Sequence, residues 1–137
     1  MSGFLLDTNV LSELRKGVRC HSKVHAWISG QDDEDLYISV LALAEIRDGI
    51  ERLRPRDARQ AALLENWLER LEHSYADRVL PVTTRVADAW GRLWHAQKIA
   101  DFDRLIAATA VQFGLDIVTR NTRDFERSGV RIVNPWE

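Results

Sequence analysis

Five oxygen-bearing side chains, Asp7, Glu45, Asp103, Asn121 and Asp124, stand where strands and helices begin or end, and their types suit metal-assisted chemistry. Asp7 follows the apolar run Phe4-Leu5-Leu6 and opens Asp7-Thr8-Asn9, where it either caps a helix or projects a carboxylate from a strand end into a crevice. Glu45 has apolar or small neighbours for a full turn upstream, with Leu41 and Gly49 one turn away on the same helical face. It is expected to point into a partly buried region, where a carboxylate needs a metal or a cation such as Arg47. Asp103 precedes the apolar stretch Leu105 to Phe113 and reads as the N-cap of a buried helix, with Asp101 in a looser loop before it. The helix dipole there favours the ionised carboxylate that metal binding requires. In Thr119-Arg120-Asn121-Thr122-Arg123-Asp124-Phe125 an amide follows a strand and an acid comes three residues later; either reaches a metal, or together they cap and open a short helix. Acids brought close together repel strongly without a compensating cation, and oxygen-only donors suit a hard one, Mg²⁺ or Mn²⁺.

The elements that must position these groups alternate. Strands are predicted at Phe4 to Leu6, Leu36 to Val40, Val79 to Val82, Ile117 to Thr119 and Val130 to Val133, with Pro81 pushing the third toward a sheet edge. Helical spacing marks Val10, Leu11 and Leu14, residues 21 to 29, Leu43 to Leu53 stopped by Pro55, and 58 to 75 after an Asp57 cap. Further helices are expected at Val86 to Trp94 after Thr83 or Thr84, at Leu105 to Phe113 ended by Gly114, and as a turn at Arg123 to Arg127. Strand-helix alternation predicts a three-layer α/β/α architecture with a mostly parallel central sheet, a single domain over 1–137, and ligands at the carboxyl ends of the strands.

Composition narrows the function classes. The apolar share of 45% and charged share of 29% are those of an ordinary globular chain. No apolar run approaches the roughly 18 to 20 residues that cross a bilayer, and the opening residues lack the basic and apolar regions of an export leader, so no membrane partner is expected. One cysteine, Cys20, builds neither a disulfide nor a zinc cage, and a reducing cytoplasm is the expected location. A net charge of −2 argues against a globally basic nucleic-acid grip, leaving local cations: Arg15, Lys16, Arg47, Arg104, Arg120 and Arg123. Trp90, Leu93 and Trp94 form a stripe with Ala87 that is either core or an interface. His21, His25, His73 and His95 have no ligand spacing, and no glycine-rich phosphate loop is present.

Four blocks, Leu5 to Glu13, Ser39-Val40 with Leu43 to Arg47 and Gly49-Ile50, Asp103 to Ala110, and Thr119 to Phe125, occur in an order that resembles the PIN-domain ribonucleases, in particular the VapC-type toxins of toxin-antitoxin pairs. The likeness spans nearly the whole chain. It implies a PIN-like fold and a metal-dependent endoribonuclease, with Asp7, Glu45 and Asp103 as metal-site acids. It also implies a homodimer, and a cognate antitoxin that covers the site and carries the complex to operator DNA. Where the family often has a fourth acid this chain has Asn121, which weakens a second metal site unless Asp124 contributes. Two rivals remain. An aspartyl-nucleophile phosphatase would want a carboxylate at position 9, where Asn9 stands. A non-catalytic partner-binding module would use the same acids only as caps.

Overall fold

A computed structural model describes residues 3–92 and 101–137. The chain runs β1 (Phe4–Leu6), α1 (Thr8–Leu14), α2 (Ser22–Ser29), β2 (Leu36–Ser39), α3 (Val40–Leu53), α4 (Ala58–Ser74), β3 (Val79–Leu80), α5 (Thr84–Arg92), α6 (Asp101–Phe113), β4 (Asp116–Val118), α7 (Thr122–Phe125) and β5 (Ile132–Val133), with 3₁₀ turns at Gly17–Arg19 and Asp33–Asp35. The five strands form one sheet in the order β3-β2-β1-β4-β5, and every pairing is parallel.

Alternation along each strand divides the core into two layers. Leu6, Leu36, Ile38 and Val118 face α1, α3 and α4, meeting Val10, Leu11, Ala42, Ile46, Ile50, Ala61 and Leu68. Leu5, Ile117 and Leu80 face the other way, onto Ile106, Ala107 and Ala110 of α6 and Phe125 of α7. Helices on both faces of a parallel sheet are the three-layer architecture that the alternation predicted.

The strand order contains the feature that matters for function. From β1 the chain steps outward through β2 to β3, then returns across the sheet to β4 on the opposite side of β1. The order therefore reverses between β1 and β4, and loops leaving those two strands part in opposite directions to open a crevice at their carboxyl ends.

Local chemistry sets the boundaries. Ser39 ends β2, and its hydroxyl accepts the Leu41 N–H at 3.0 Å, so Val40 begins α3 instead of closing the strand. Asp57 caps α4 through the Gln60 N–H at 3.0 Å, and Thr83, not Thr84, caps α5 through the Val86 N–H at 3.1 Å. β3 stops at Leu80 on the sheet edge, because Pro81 has no N–H for the ladder; Val82 lies outside it and is exposed. The last strand begins two residues later than expected, at Ile132, because Ser128 accepts the Val130 N–H at 3.2 Å and keeps that stretch in a turn. Gly114 takes φ 67° after α6, which lets the Leu115 N–H reach back to the Ala110 carbonyl at 2.9 Å. No described helix is long and apolar enough to cross a membrane. In the tryptophan stripe, Trp90 is half-buried and Ala87 exposed, while Leu93 and Trp94 lie outside the described residues.

Ile117→Ala, in a strand that is covered on both faces, is expected to cost roughly 2 to 5 kcal/mol through the cavity it leaves. Ser39→Ala is expected to cost about 1 kcal/mol through the lost cap. The shift in urea midpoint at constant slope measures both.

Candidate active site

Asp7 is the first residue beyond β1, and its backbone N–H still bonds the Val118 carbonyl of β4 at 2.9 Å. That bond fixes the side chain at the mouth of the β1/β4 crevice. Only 7% exposed, the carboxylate divides its oxygens: Oδ1 accepts the Thr8 N–H at 2.8 Å as the α1 cap, and Oδ2 accepts the Thr119 hydroxyl at 2.8 Å. Capping and crevice position therefore coexist in one side chain.

Thr119, fully buried just past β4, is the hub of this network. Its oxygen donates to Asp7 and accepts both the Asn9 amide at 3.1 Å and the Asn121 N–H at 3.0 Å. Asn9 completes a bridge between the two loops, donating weakly to Asp7 Oδ2 at 3.4 Å and accepting the Arg120 N–H on Oδ1 at 3.2 Å. Thr8 reaches the other way, donating its hydroxyl to Glu45 Oε1 at 2.8 Å. Thr8, Asn9 and Thr119 have structural roles that the sequence did not single out. Their hydroxyl and amide types, next to Asp7 and Asn121, are the only local signal, and their pairing depends on contacts 37 residues apart for Thr8 and more than a hundred apart for Asn9 and Thr119.

Glu45 departs from expectation. The buried stripe of α3 is Ala42, Ile46 and Ile50, and Glu45, one position aside, is exposed along its stem, with only its carboxylate partly desolvated where it leans onto Thr8. Nor is Arg47 its partner: that guanidinium pairs with Glu51 at 3.2 Å and Glu65 at 2.6 Å. Asp103 also departs. α6 already includes Asp101, so Asp103 lies within the first turn and is not its cap, while Asp101 is exposed and paired with Arg104 at 3.4 Å. Asp101, Phe102 and Asp103 read well as a helix start because acids are favoured against the positive end of the dipole. Since α6 runs back across the face of a parallel sheet to feed β4, its N-terminal turn returns Asp103 to the strand-end edge.

The electrostatics show which acids share a region. Burial, then the charges of Asp7, Asp124 and Glu45, push the Asp103 carboxyl from 3.8 up to about 6. Burial also raises Asp7, opposed by the Thr119 and Thr8 hydrogen bonds and helped by Asp124. Burial raises Glu45, opposed by the Thr8 hydroxyl and helped by the charge of Asp7. Four acids from four separate elements therefore lie in one mutually repulsive field. Asn121 occupies the N-cap position of α7 without capping through its side chain; it and Asp124, in the first turn, are both exposed at the rim.

Among the described residues, no three His, Cys, Asp or Glu side chains form a ready-made metal cage. The donor set nevertheless fits a hard divalent ion, which is held by one or two carboxylates with water completing its shell. The phosphatase alternative loses ground here, because the Asn9 amide is committed to bridging the two loops. Of the cations, Arg104 lies over the Trp90 ring at 4.6 Å and Arg120 over Trp136 at 5.3 Å.

Comparison with known proteins agrees with this geometry. The PIN domain profile matches residues 4–130. VapC ribonuclease Y4jK of Sinorhizobium fredii is 39% identical over 97% of this chain and 97% of its own length. Toxin FitB of Neisseria gonorrhoeae is 36% identical over 96% of this chain and 97% of its own. The solved structure of FitAB bound to an IR36 DNA fragment contains a chain that superposes with a TM-score of 0.86 at 33% identity, covering 98% of this chain and 96% of that one. A profile match across nearly all of the chain, relatives above 30% identity over almost their full length, and a shared arrangement of strands and helices lead to one conclusion: this chain belongs to the PIN domain family.

Proposed function

We propose that the chain is a divalent-metal-dependent endoribonuclease acting as the toxin of a toxin-antitoxin pair. The observation that carries this reading is the convergence of Asp7, Glu45, Asp103 and Asp124 on the β1/β4 crevice, where burial first and the neighbouring charges second hold a proton on Asp103 to about 6. Helix capping alone gives no reason to concentrate unneutralised acids at one point, whereas a cation site does. The names of the relatives, a VapC ribonuclease and a toxin, support the same reading, and PIN nucleases are generally divalent-metal dependent.

We assign the ion as Mg²⁺, with Mn²⁺ as a substitute, because the available donors are oxygens. Asp7 and Asp103 would hold it, with Glu45 beside them. Bound there, a divalent ion supplies positive charge next to the scissile phosphate and makes water a competent nucleophile at neutral pH. Thr119 and the Thr8 N–H keep Asp7 in one orientation, so the crevice is organised before substrate arrives. Glu45 has Oε1 held by Thr8 and Oε2 left to orient the attacking water and accept its proton; its raised pKa makes it a better base than an ordinary carboxylate. Asn121 and Asp124 complete the rim. Attack by water in line with the leaving oxygen gives a 5′-phosphate and a 3′-hydroxyl, and leaves the ribose 2′-OH unused. Partnership with an antitoxin, dimerisation, and contact with operator DNA through the complex alone follow from the same reading, as does action in the cytoplasm.

Asp7→Asn and Asp103→Asn are each expected to abolish RNA cleavage by the folded protein, and EDTA to abolish it in the wild type; full cleavage in either folded variant contradicts the assignment. Asp103→Asn should also raise the melting temperature at pH 7. Because the folded chain holds this proton more tightly than the unfolded chain does, stability declines as pH rises from 3.8 to about 6. The amide removes that penalty, on the order of 1 kcal/mol for a half-buried, solvent-screened group. Cleavage at limiting Mg²⁺ should fall as pH drops through about 6, with the midpoint moving lower as Mg²⁺ is raised, because proton and metal compete for Asp103. A midpoint independent of metal concentration would remove Asp103 from the site.

A further inference from the structure

Residues 14–31 contain no acidic residue but carry Arg15, Lys16, Arg19 and Lys23, a local charge of +4 in a chain whose net charge is −2. Arg15, Lys16 and Arg19 lie in the connection between α1 and α2 and Lys23 in the first turn of α2, and all four cations are exposed. Lys16 pairs with Glu13 at 3.0 Å and Arg15 lies over the Trp67 ring at 5.9 Å; among the described residues Arg19 and Lys23 make no ion pair.

This connection is built, not loose. The Glu13 carboxylate, 8% exposed, accepts the His21 N–H at 2.9 Å on one oxygen and Lys16 Nζ on the other, tying the end of α1 to the start of α2. Gly17 takes φ 60°, so the chain turns sharply and lifts the next residue clear: Val18 is fully exposed, a β-branched apolar side chain at the tip of a cationic loop. Beside it lies an open cleft of about 600 Å³ lined by Leu14, Val18, Cys20 and His25. Walls of Leu14 and Val18 with the His25 imidazole, in a segment that also carries Arg19 and Lys23, match the chemistry of an unstacked nucleobase between two backbone phosphates.

Position connects this cleft to the reaction. α1 starts at the Asp7 cap and runs seven residues, about 10 Å, to the loop. A polynucleotide with its scissile phosphate at Asp7 reaches the loop within a few nucleotides. We infer that the α1-α2 connection and the start of α2 form a second RNA subsite, in which Arg19 and Lys23 hold backbone phosphates while one extruded base enters the cleft between Val18 and His25. This rests on the ribonuclease reading and adds to it where the substrate is gripped.

The test is anisotropy of a fluorescein-labelled oligouridine in EDTA, where binding is read without cleavage, over a range of KCl. The double variant Arg19→Ala/Lys23→Ala should bind roughly tenfold more weakly, with the slope of log affinity against log salt reduced by about 1 to 1.5. His25→Ala should bind several-fold more weakly, with a smaller change in salt slope than the double variant, since it removes a stacking surface. Hydrolysis of bis(p-nitrophenyl) phosphate, too small to reach the loop, should proceed at the wild-type rate in both variants. Unchanged oligouridine binding in the double variant overturns the subsite. So does equal displacement of oligouridine by poly-L-glutamate, which would make the loop a seat for acidic protein. If wild-type protein binds oligouridine but cuts no RNA with metal present, the ribonuclease reading fails; if it cuts RNA while both variants bind normally, only the subsite fails.

Discussion

Repulsion among carboxylates is the constraint around which this molecule is arranged. A chain that gathers Asp7, Glu45, Asp103 and Asp124 into one half-buried field works against its own stability, and the Asp103 carboxyl, raised by burial and then by its neighbours' charges, records that cost. Among the described residues, the cation closest in sequence to Glu45 is turned away from it: Arg47 pairs with Glu51 and Glu65. Neutral donors hold them instead. Hydroxyls from Thr8 and Thr119 and the Thr8 N–H orient the carboxylates while leaving their charge in place. An arginine in the same position would have stabilised the apo-protein and filled the place that a divalent ion requires.

The topology explains why the acids meet despite separations of tens of residues. All strands point the same way, so every strand-to-helix junction lies on one edge of the sheet, and helices that run back deliver their N-termini to that edge. Asp7 arrives by the first route, Glu45 by a helix leaving β2, and Asp103 by the second. The reversal of order between β1 and β4 then supplies the opening. Thr119 and Asn9 cross that opening and bind the two diverging loops, so the crevice keeps its shape though it lies where the sheet topology parts them.

This division of labour also accounts for the modest net charge. A nuclease needs cations where the polyanion lies and acids where the metal lies, and a sum over the chain conceals both. Here the acid-free span between Glu13 and Asp32 stands against the acid cluster at the other end of the seven-residue α1. Affinity for phosphates and catalysis on one of them can then be separate functions of separate surfaces.

Much was legible in the chain itself. Apolar runs ending in polar residues located β1, β2 and β4, because a strand buried on both faces has to be apolar throughout. Asp7 and Glu45 were recognisable by their apolar neighbours, and Asp103 as an acid at the start of a buried helix. Periodicity failed where one position decides the outcome: Glu45 is exposed because the buried stripe of α3 passes through Ala42, Ile46 and Ile50, a difference of one residue in phase. Asp103 moved from cap to first turn because acids suit both positions and no local signal separates them. The roles of Asn9 and Thr119 could not be read at all. Their partners come from opposite ends of the chain, and only the pairing of β1 with β4 brings Asp7 within 2.8 Å of the Thr119 hydroxyl. Residue type along the chain thus determined which groups could do chemistry, and tertiary structure decided their company, because a hydrogen bond depends on distance in space, to which sequence separation is indifferent.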